Sequence, residues 1–302
     1  MAEFFDIIIV GGGPAGLTAA IYARRAGKSV LLLEKESFGG QIASSPCVEN
    51  FPGHMAISGT ELADLLYSQA ENLGARIELE EVLSIENGEI KTVTTDYGSY
   101  TCKALILATG MKHRTLGLPG EDMLGGISFC AVCDGAFHTG RDVAVVGGGN
   151  TALQDALFLS DICKSVTVIH RRDAFRGDPI LVEKLKAREN VTFLLDCVVT
   201  ALHGEGSLSG LSVQNVKTGE TVEMAVTGLF EAVGQLPEKK LASSVAAVDE
   251  TGFVPAGEDC VTSAAGVFVA GDCRAKEVRQ LTTACADGAV AALAACRYCD
   301  AQ

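Results

Sequence analysis

Cys130 and Cys133, two residues apart in "SFCAVCDGAF", are the first residues in this chain whose types and spacing could do chemistry. That spacing suits half of a zinc site, a short structural disulfide, or a dithiol that cycles between reduced and oxidised states. Asp134 follows at once. It is a titratable group placed to manage a proton at exchanging thiols, though an acid before Gly135 also suits a turn or a cap. What stands beside the pair in the rest of the chain decides between these readings.

Two further stretches could hold a phosphate. "DIIIVGGGPAGLTAAIYARRAG" is an apolar run, then Gly11, Gly13 and Gly16 in G-x-G-x-x-G spacing, then a helical pattern that stops at Gly27. A second apolar run, "SVLLLEK", ends in Glu34. Strand, glycines, helix, strand and terminal acid together form a dinucleotide site, with the pyrophosphate on helix N–H groups and the ribose on the acid. The pattern recurs in "RDVAVVGGGNTALQDALFLSDICKSVTVIHRRDAF", with Gly147, Gly149, Asn150 and Ala152 at the turn. Where the first copy has Glu34, the second has His170, Arg171 and Arg172, with Arg176 a turn later. A carboxylate suits a bare ribose and a basic cluster suits a 2′-phosphate. The first site therefore reads as FAD and the second as NADPH.

The elements that must position these groups follow from the same patterns. After the first copy come a helix near 60–73 and strands at 75–83, 89–95 and 99–107. "KALILATG" closes this part, and a Gly- and Pro-bearing linker follows. The second copy closes on "TGLFEAVG". "GVFVAGDC" and a helix from about Thr282 to Tyr298 then need a sheet to join, and the first unit is the natural host. The expected fold is α/β: two Rossmann-like, three-layer dinucleotide-binding domains, the NADPH domain inserted into the FAD domain. The expected boundaries are 1–114 and 241–302 for FAD and 115–240 for NADPH.

Composition bounds the function. Apolar residues make up 48 % of the chain, enough for a sizeable core. The formal net charge of −14 argues against nucleic acid and anionic membrane surfaces. No apolar run approaches the roughly 20 residues of a membrane span, and the N-terminus lacks a basic segment and a cleavage site, so a cytoplasmic protein is expected. The 11 cysteines are odd in number and scattered, unlike a secreted disulfide framework.

With these motifs in hand, the chain resembles the low-molecular-weight thioredoxin reductases over essentially its whole length. The resemblance lies in "GGGPAG", "FGGQI", "VENFPG", "ALILATG", "CAVCDG", "GGGNTA", "HRRDAFR", "GVFVAGDC" and "RQLTTA", in that order. It implies a Cys130–Cys133 disulfide that exchanges with thioredoxin or a thioredoxin-like protein, and a homodimer. It implies that Gly11, Gly13, Gly16 and Glu34 hold the adenosine end of FAD and Asp272 its ribityl–pyrophosphate part. Gln41, Asn50, Arg279 and Gln280 would approach the isoalloxazine, although Gln41, Asn50 and Gln280 also suit turns or caps. By the same resemblance, Cys133 is the thiol beside the flavin and Cys130 attacks the partner. Departures are small: Ala131-Val132 between the cysteines, and no Asn-Thr after Pro237.

A zinc clamp needs a second close pair, and the remaining one, Cys296 and Cys299, belongs to a helix of the other domain. No metal site is expected, and a redox pair is favoured because electron carriers stand beside it. Cys296 and Cys299 read as packing thiols rather than a second shuttle. Both the dithiol and the nicotinamide must reach a flavin held by the other domain, so a rotation about linkers near 112–118 and 236–244 is expected. The competing readings are a same-fold reductase with another disulfide partner, a ferredoxin-driven version, a small-molecule dithiol oxidase, or a redox sensor without turnover.

Overall fold

The computed structural model describes residues 2–302 apart from 46, 47 and 49, with residues 44 and 133 described by their backbone alone. The chain forms two compact units: residues 1–112 with 236–302, and residues 113–235.

The apolar run ahead of Gly11 is β1 (Glu3–Val10). Pro14 opens α1 (Pro14–Arg25), where a missing N–H costs nothing, and Gly27 at φ +77° lies just past its end. β2 (Val30–Glu34) and α2 (Gly59–Asn72) follow; Ser58 caps α2 by accepting from the Glu61 N–H at 3.1 Å. Then come β3 (Arg76–Leu79), β4 (Val82–Glu86), β5 (Lys91–Thr95) and β6 (Ser99–Leu107). The single strand expected at 75–83 is thus two. The break falls at Glu80, whose carboxylate turns to accept from the Tyr100 and Thr95 hydroxyls at 2.9 and 2.6 Å.

β7 (Met111–His113) leads into the second unit, which holds β8 (Ile127–Ser128), α3 (Ala131–Asp134), β9 (Asp142–Gly147), α4 (Asn150–Ile162) and β10 (Ser165–His170). α5 (Pro179–Lys186), β11 (Val191–Leu195), β12 (Cys197–Gly204), β13 (Leu208–Asn215), β14 (Thr221–Met224) and β15 (Gly228–Ala232) complete it. The chain leaves through β16 (Gln235–Pro237), which pairs with β7. It then adds α6 (Lys239–Ser243), β17 (Val267–Val269) and α7 (Leu281–Asp300) to the first unit.

The same sheet is built twice. The first has the order β3-β2-β1-β6, all parallel. β17 runs along the later half of β6 and the β4–β5 hairpin along its earlier half. The second has the order β11-β10-β9-β15-β8, again parallel. Both faces are covered, which is why the strands read as continuous apolar runs. Along β1, Ile7 and Ile9 enter the core under α1 and α7, while Ile8 and Val10 enter the opposite core with Val245 and Val254. In the second unit α4 and α5 cover one face, and the antiparallel sheet β12-β13-β14 covers the other.

α7 lies on α1 through small residues, with Cys296 and Cys299 buried among them as free thiols. Gly288 sets the approach: a Cβ added there would stand 3.0 Å from the Ala15 carbonyl carbon and overlap its oxygen. Gly288→Ala is expected to push α7 outward and cost about 1–3 kcal/mol, read as a lower urea midpoint.

Candidate active site

In the first unit, Gly11 at φ +112° turns the chain out of β1; an added Cβ would lie 2.6 Å from the Ala108 carbonyl carbon at the end of β6. Gly16 packs back against Gly11, where a Cβ would stand 3.1 Å from its carbonyl carbon. Gly13 caps α1 with no side chain over the first-turn N–H groups. Glu34, at the end of β2, steadies the turn: one carboxylate oxygen accepts from the Gly12 N–H at 2.7 Å, the other from those of Lys35 and Glu36 at 2.8 and 2.9 Å.

Asp272 reaches the same place from the far end of the sequence. Gly271, at φ +78°, sits so close to Ala15 that a Cβ would be 2.8 Å from the Ala15 Cβ. This sets the Asp272 turn beside the start of α1. Asp272 Oδ1 is buried and has no hydrogen-bond partner among the described residues. Burial pushes its carboxyl above the ordinary carboxylate range, while Lys276 and Arg279 pull it down. Arg279 lies over the Phe253 ring, 4.1 Å from its centre, and donates to the Asp272 carbonyl at 3.3 Å. Gln41 donates to the Met111 carbonyl at 2.7 Å. Asn50 donates to Gln280 at 3.2 Å, and Gln280 caps α7 in a reciprocal box with Thr283. Capping is therefore a structural role that Gln280 fills.

The second unit repeats the turn. A Cβ on Gly147 would stand 2.7 Å from the Ala152 Cβ and overlap the Ala232 carbonyl oxygen, and Gly149 caps α4. Asn150 accepts from the Asp178 N–H at 2.6 Å, and the Arg176 N–H donates to the Gly148 carbonyl at 2.7 Å. The loop carrying Arg176 is thereby folded over the turn. Arg171, Arg172 and Arg176 are all exposed. His170 differs from the basic residue expected there. It is buried under Gly148, stacked 5.3 Å from Phe175, with Nε2 bonded to the Ala174 carbonyl oxygen at 3.2 Å. Burial pushes its pKa down, as do the three arginines, so the cationic charge comes from the arginines alone.

Cys130 follows β8 and is disulfide-bonded; the Cys133 side chain lies outside the described residues. The eight other described cysteines are free. Ser128, which sequence reasoning missed, organises the segment. Its hydroxyl donates to Asp134 Oδ2 at 2.5 Å and accepts from the Cys130 N–H at 3.0 Å. The Asp134 N–H in turn donates to the Cys130 carbonyl at 3.1 Å. Asp134 is thus fixed against the cysteine backbone. A serine two residues ahead of Cys130 was the only signal for this. Gly135 packs against Leu159, Phe158 and Ile162 of α4, which leaves Val132 and Phe137 exposed on either side. His138, buried by Thr227 and Phe230, has its pKa pushed down by burial and by Arg141. Among the described residues, no cluster of three His, Cys, Asp or Glu could hold a metal ion, and no helix is long and apolar enough to cross a membrane.

The pyridine nucleotide-disulphide oxidoreductase family matches residues 5–288. A thioredoxin reductase of Streptomyces clavuligerus is 43 % identical, covering 99 % of this chain and 95 % of that one. One of Treponema pallidum is 42 % identical, covering 99 % of both. The crystal structure of Lactococcus lactis thioredoxin reductase in its FR conformation is similar at a TM-score of 0.84 and 37 % identity, over 99 % of this chain and 100 % of that one.

His138 and His170 are both ordinarily titrated near 6.5 and are both held lower in the fold. The unfolded chain binds protons first as pH falls, so stability is full above that value and declines below it. The urea midpoint of the second unit should drop between about pH 7.5 and about pH 5.5, and His170→Phe should flatten part of that slope.

Proposed function

The chain belongs to the pyridine nucleotide-disulphide oxidoreductase family, and on that footing we propose that it is an NADPH-dependent thioredoxin-disulfide reductase. The observation that carries the reading is the oxidised Cys130 in the unit that also holds the arginine-flanked dinucleotide turn. FAD and NADPH are its cofactors.

The residues present fit both groups. For FAD, the Gly11–Gly16 turn leaves no side chain between the backbone and a pyrophosphate, and the uncovered N–H groups of α1 attract its charge. The orphaned Asp272 Oδ1 is an acceptor suited to a ribityl hydroxyl. Glu34 would take the adenosine ribose, and Gln41, Asn50, Arg279 and Gln280 would border the isoalloxazine. For NADPH, Gly147, Gly149, Asn150 and Ala152 shape the turn. Arg171, Arg172 and Arg176 would hold the 2′-phosphate, with His170 giving shape beneath the turn rather than charge. We assign the FAD domain to the unit of residues 1–112 and 236–302 and the NADPH domain to 113–235.

Held by these residues, FAD would supply the two-electron chemistry that links NADPH to the protein disulfide. The remaining steps belong to this chain. Reduction of Cys130–Cys133 gives a thiolate and a thiol. Cys130 Sγ attacks one sulfur of the thioredoxin disulfide and displaces the other, which takes a proton. Cys133 Sγ then attacks Cys130, releasing the second thioredoxin thiol and restoring the protein disulfide. Asp134, held by Ser128, is placed to give and take these protons. Both Cys130 and the NADPH turn belong to one unit, and the FAD residues to the other. Each must reach the flavin in turn, so the cycle includes a rotation of the inserted unit about the crossings at β7 and β16.

A ferredoxin-driven enzyme would have no use for three arginines around the second turn, which favours NADPH. Eight free thiols among the described residues suit a reducing, cytoplasmic compartment, and the family resemblance suits a homodimer.

With NADPH, thioredoxin and DTNB, thiol release should depend on thioredoxin. Cys130→Ser should reduce it to background while NADPH still bleaches the flavin. Flavin reduction by NADPH with no thioredoxin-dependent thiol would overturn thioredoxin as the partner. Replacing Arg171, Arg172 and Arg176 together by Ala should raise the KM for NADPH by about tenfold or more, since charged hydrogen bonds contribute about 1.5–3 kcal/mol each. The KM for NADH should stay put.

A further inference from the structure

Behind Asp272 lies a buried charge cluster that none of the steps above uses. Asp287, on α7, is 6 % exposed and accepts from the Gly271 N–H at 3.1 Å. Arg274 grips it with two bonds, Nε to Oδ2 at 3.1 Å and a terminal nitrogen to Oδ1 at 3.0 Å. That alone neutralises Asp287. Lys276 is nonetheless brought in as well, its side chain 8 % exposed, with Nζ 2.9 Å from Asp287 Oδ2 and 3.4 Å from Thr283 Oγ1. Its ammonium then stands 3.7 Å from Asp272 Oδ1, the oxygen with no hydrogen-bond partner among the described residues.

We propose that Lys276, seated by Asp287 and Thr283, is a positioning residue for FAD that keeps the Asp272 carboxylate ionised and turned to the cofactor's ribityl hydroxyls. This rests on the reading of the first unit as the FAD site. Two acids and two bases make the cluster neutral. Without Lys276 it would carry a buried negative charge next to the place a dianionic pyrophosphate must occupy. Asp272 would also lose the cation nearest its carboxylate. The charged groups facing Asp272 are Lys276, Arg279 and Asp287; Arg279 is spent on the Asp272 carbonyl and Phe253, and Asp287 opposes ionisation. Ala15 and Gly16, at the adjoining end of α1, carry no charge.

The test is FAD binding to the apoprotein, followed by flavin fluorescence at about pH 8 and about pH 6, in wild type, Lys276→Met and Lys276→Arg. An acceptor that must be ionised works above its pKa and fails as pH falls through it, and losing Lys276 moves that failure to higher pH. Lys276→Met should raise the Kd about tenfold at the higher pH, with a clearly larger factor at the lower one; Lys276→Arg should stay within about threefold of wild type. NADP⁺ binding to the other unit should not change. If Lys276→Met does not fold, Lys276→Gln keeps a donor to Asp287 and removes only the charge. Wild-type affinity in the uncharged variant, or a loss of the same size at both pH values, overturns the proposal, the second outcome marking a mere structural tie. A wild-type apoprotein that takes up no FAD instead overturns the reading of the site itself.

Discussion

Each dinucleotide turn depends on one steric fact: a glycine at the end of a central strand lies against the carbonyl that ends the neighbouring strand. Gly11 meets Ala108 after β6, and Gly147 meets Ala232 at the end of β15. Any side chain there would occupy the carbonyl's space. The approach is possible because the central strand is flanked by the same order of neighbours in both units, β2-β1-β6 and β10-β9-β15. Once the turn is that tight, the helix that follows must start directly above the strand end, with its N–H groups uncovered. A helix start suited to an anion is then a consequence of one packed backbone contact.

Charge is sorted by burial around that frame. The chain is acidic overall, yet three exposed arginines gather at one turn. Acids that do go inside meet converging donors, as Asp287 does, or give up their charge. Glu231 takes the second course. It is 2 % exposed and is pushed up to about 8 by burial and by Glu121, so it is largely neutral near pH 7. Both carboxyl groups accept from the Leu116 N–H, at 2.9 and 3.1 Å. The segment that enters the second unit is thereby pinned by two carboxyl groups, of which Glu231 is largely neutral, rather than by an ion pair. Buried thiols follow the same rule: burial pushes Cys102 and Cys260 to about 12 and Cys299 to about 11, which leaves them unreactive.

Much of this was legible in the sequence because backbone demands are written locally. Glycine spacing, the apolar runs before it and the acid or bases after it located both turns. The packing role expected for Cys296 and Cys299 agrees with their burial between α1 and α7. What escaped depended on where a side chain points. His170 occupies the position matching Glu34, yet its ring folds under Gly148, because Phe175 and the Ala174 carbonyl offer it a buried berth. Gln280 caps α7, a role its sequence position allowed alongside that of a ligand. The strand expected at 75–83 hid a break that only the later Tyr100 and Thr95 hydroxyls explain. Lys276 and Asp287 are eleven residues apart and become partners only because a turn and a helix meet.

The pairing of β7 with β16 bears on how the chain assembles. The Arg114 N–H donates to the Gly234 carbonyl at 2.9 Å, so the inserted unit begins and ends at one point. β17 must find β6 across about 160 residues of chain, but a folded insert removes about three quarters of that span. Loop closure costs about 0.6 kcal/mol per doubling, so prior folding of the insert eases closure by about 1.2 kcal/mol. On a ribosome the insert is also complete before β17 and α7 emerge. The Asp272 turn, with Arg279, Gln280 and α7 directly behind it, is therefore among the last pieces to arrive, delivered to a sheet whose gap the finished insert has already drawn shut.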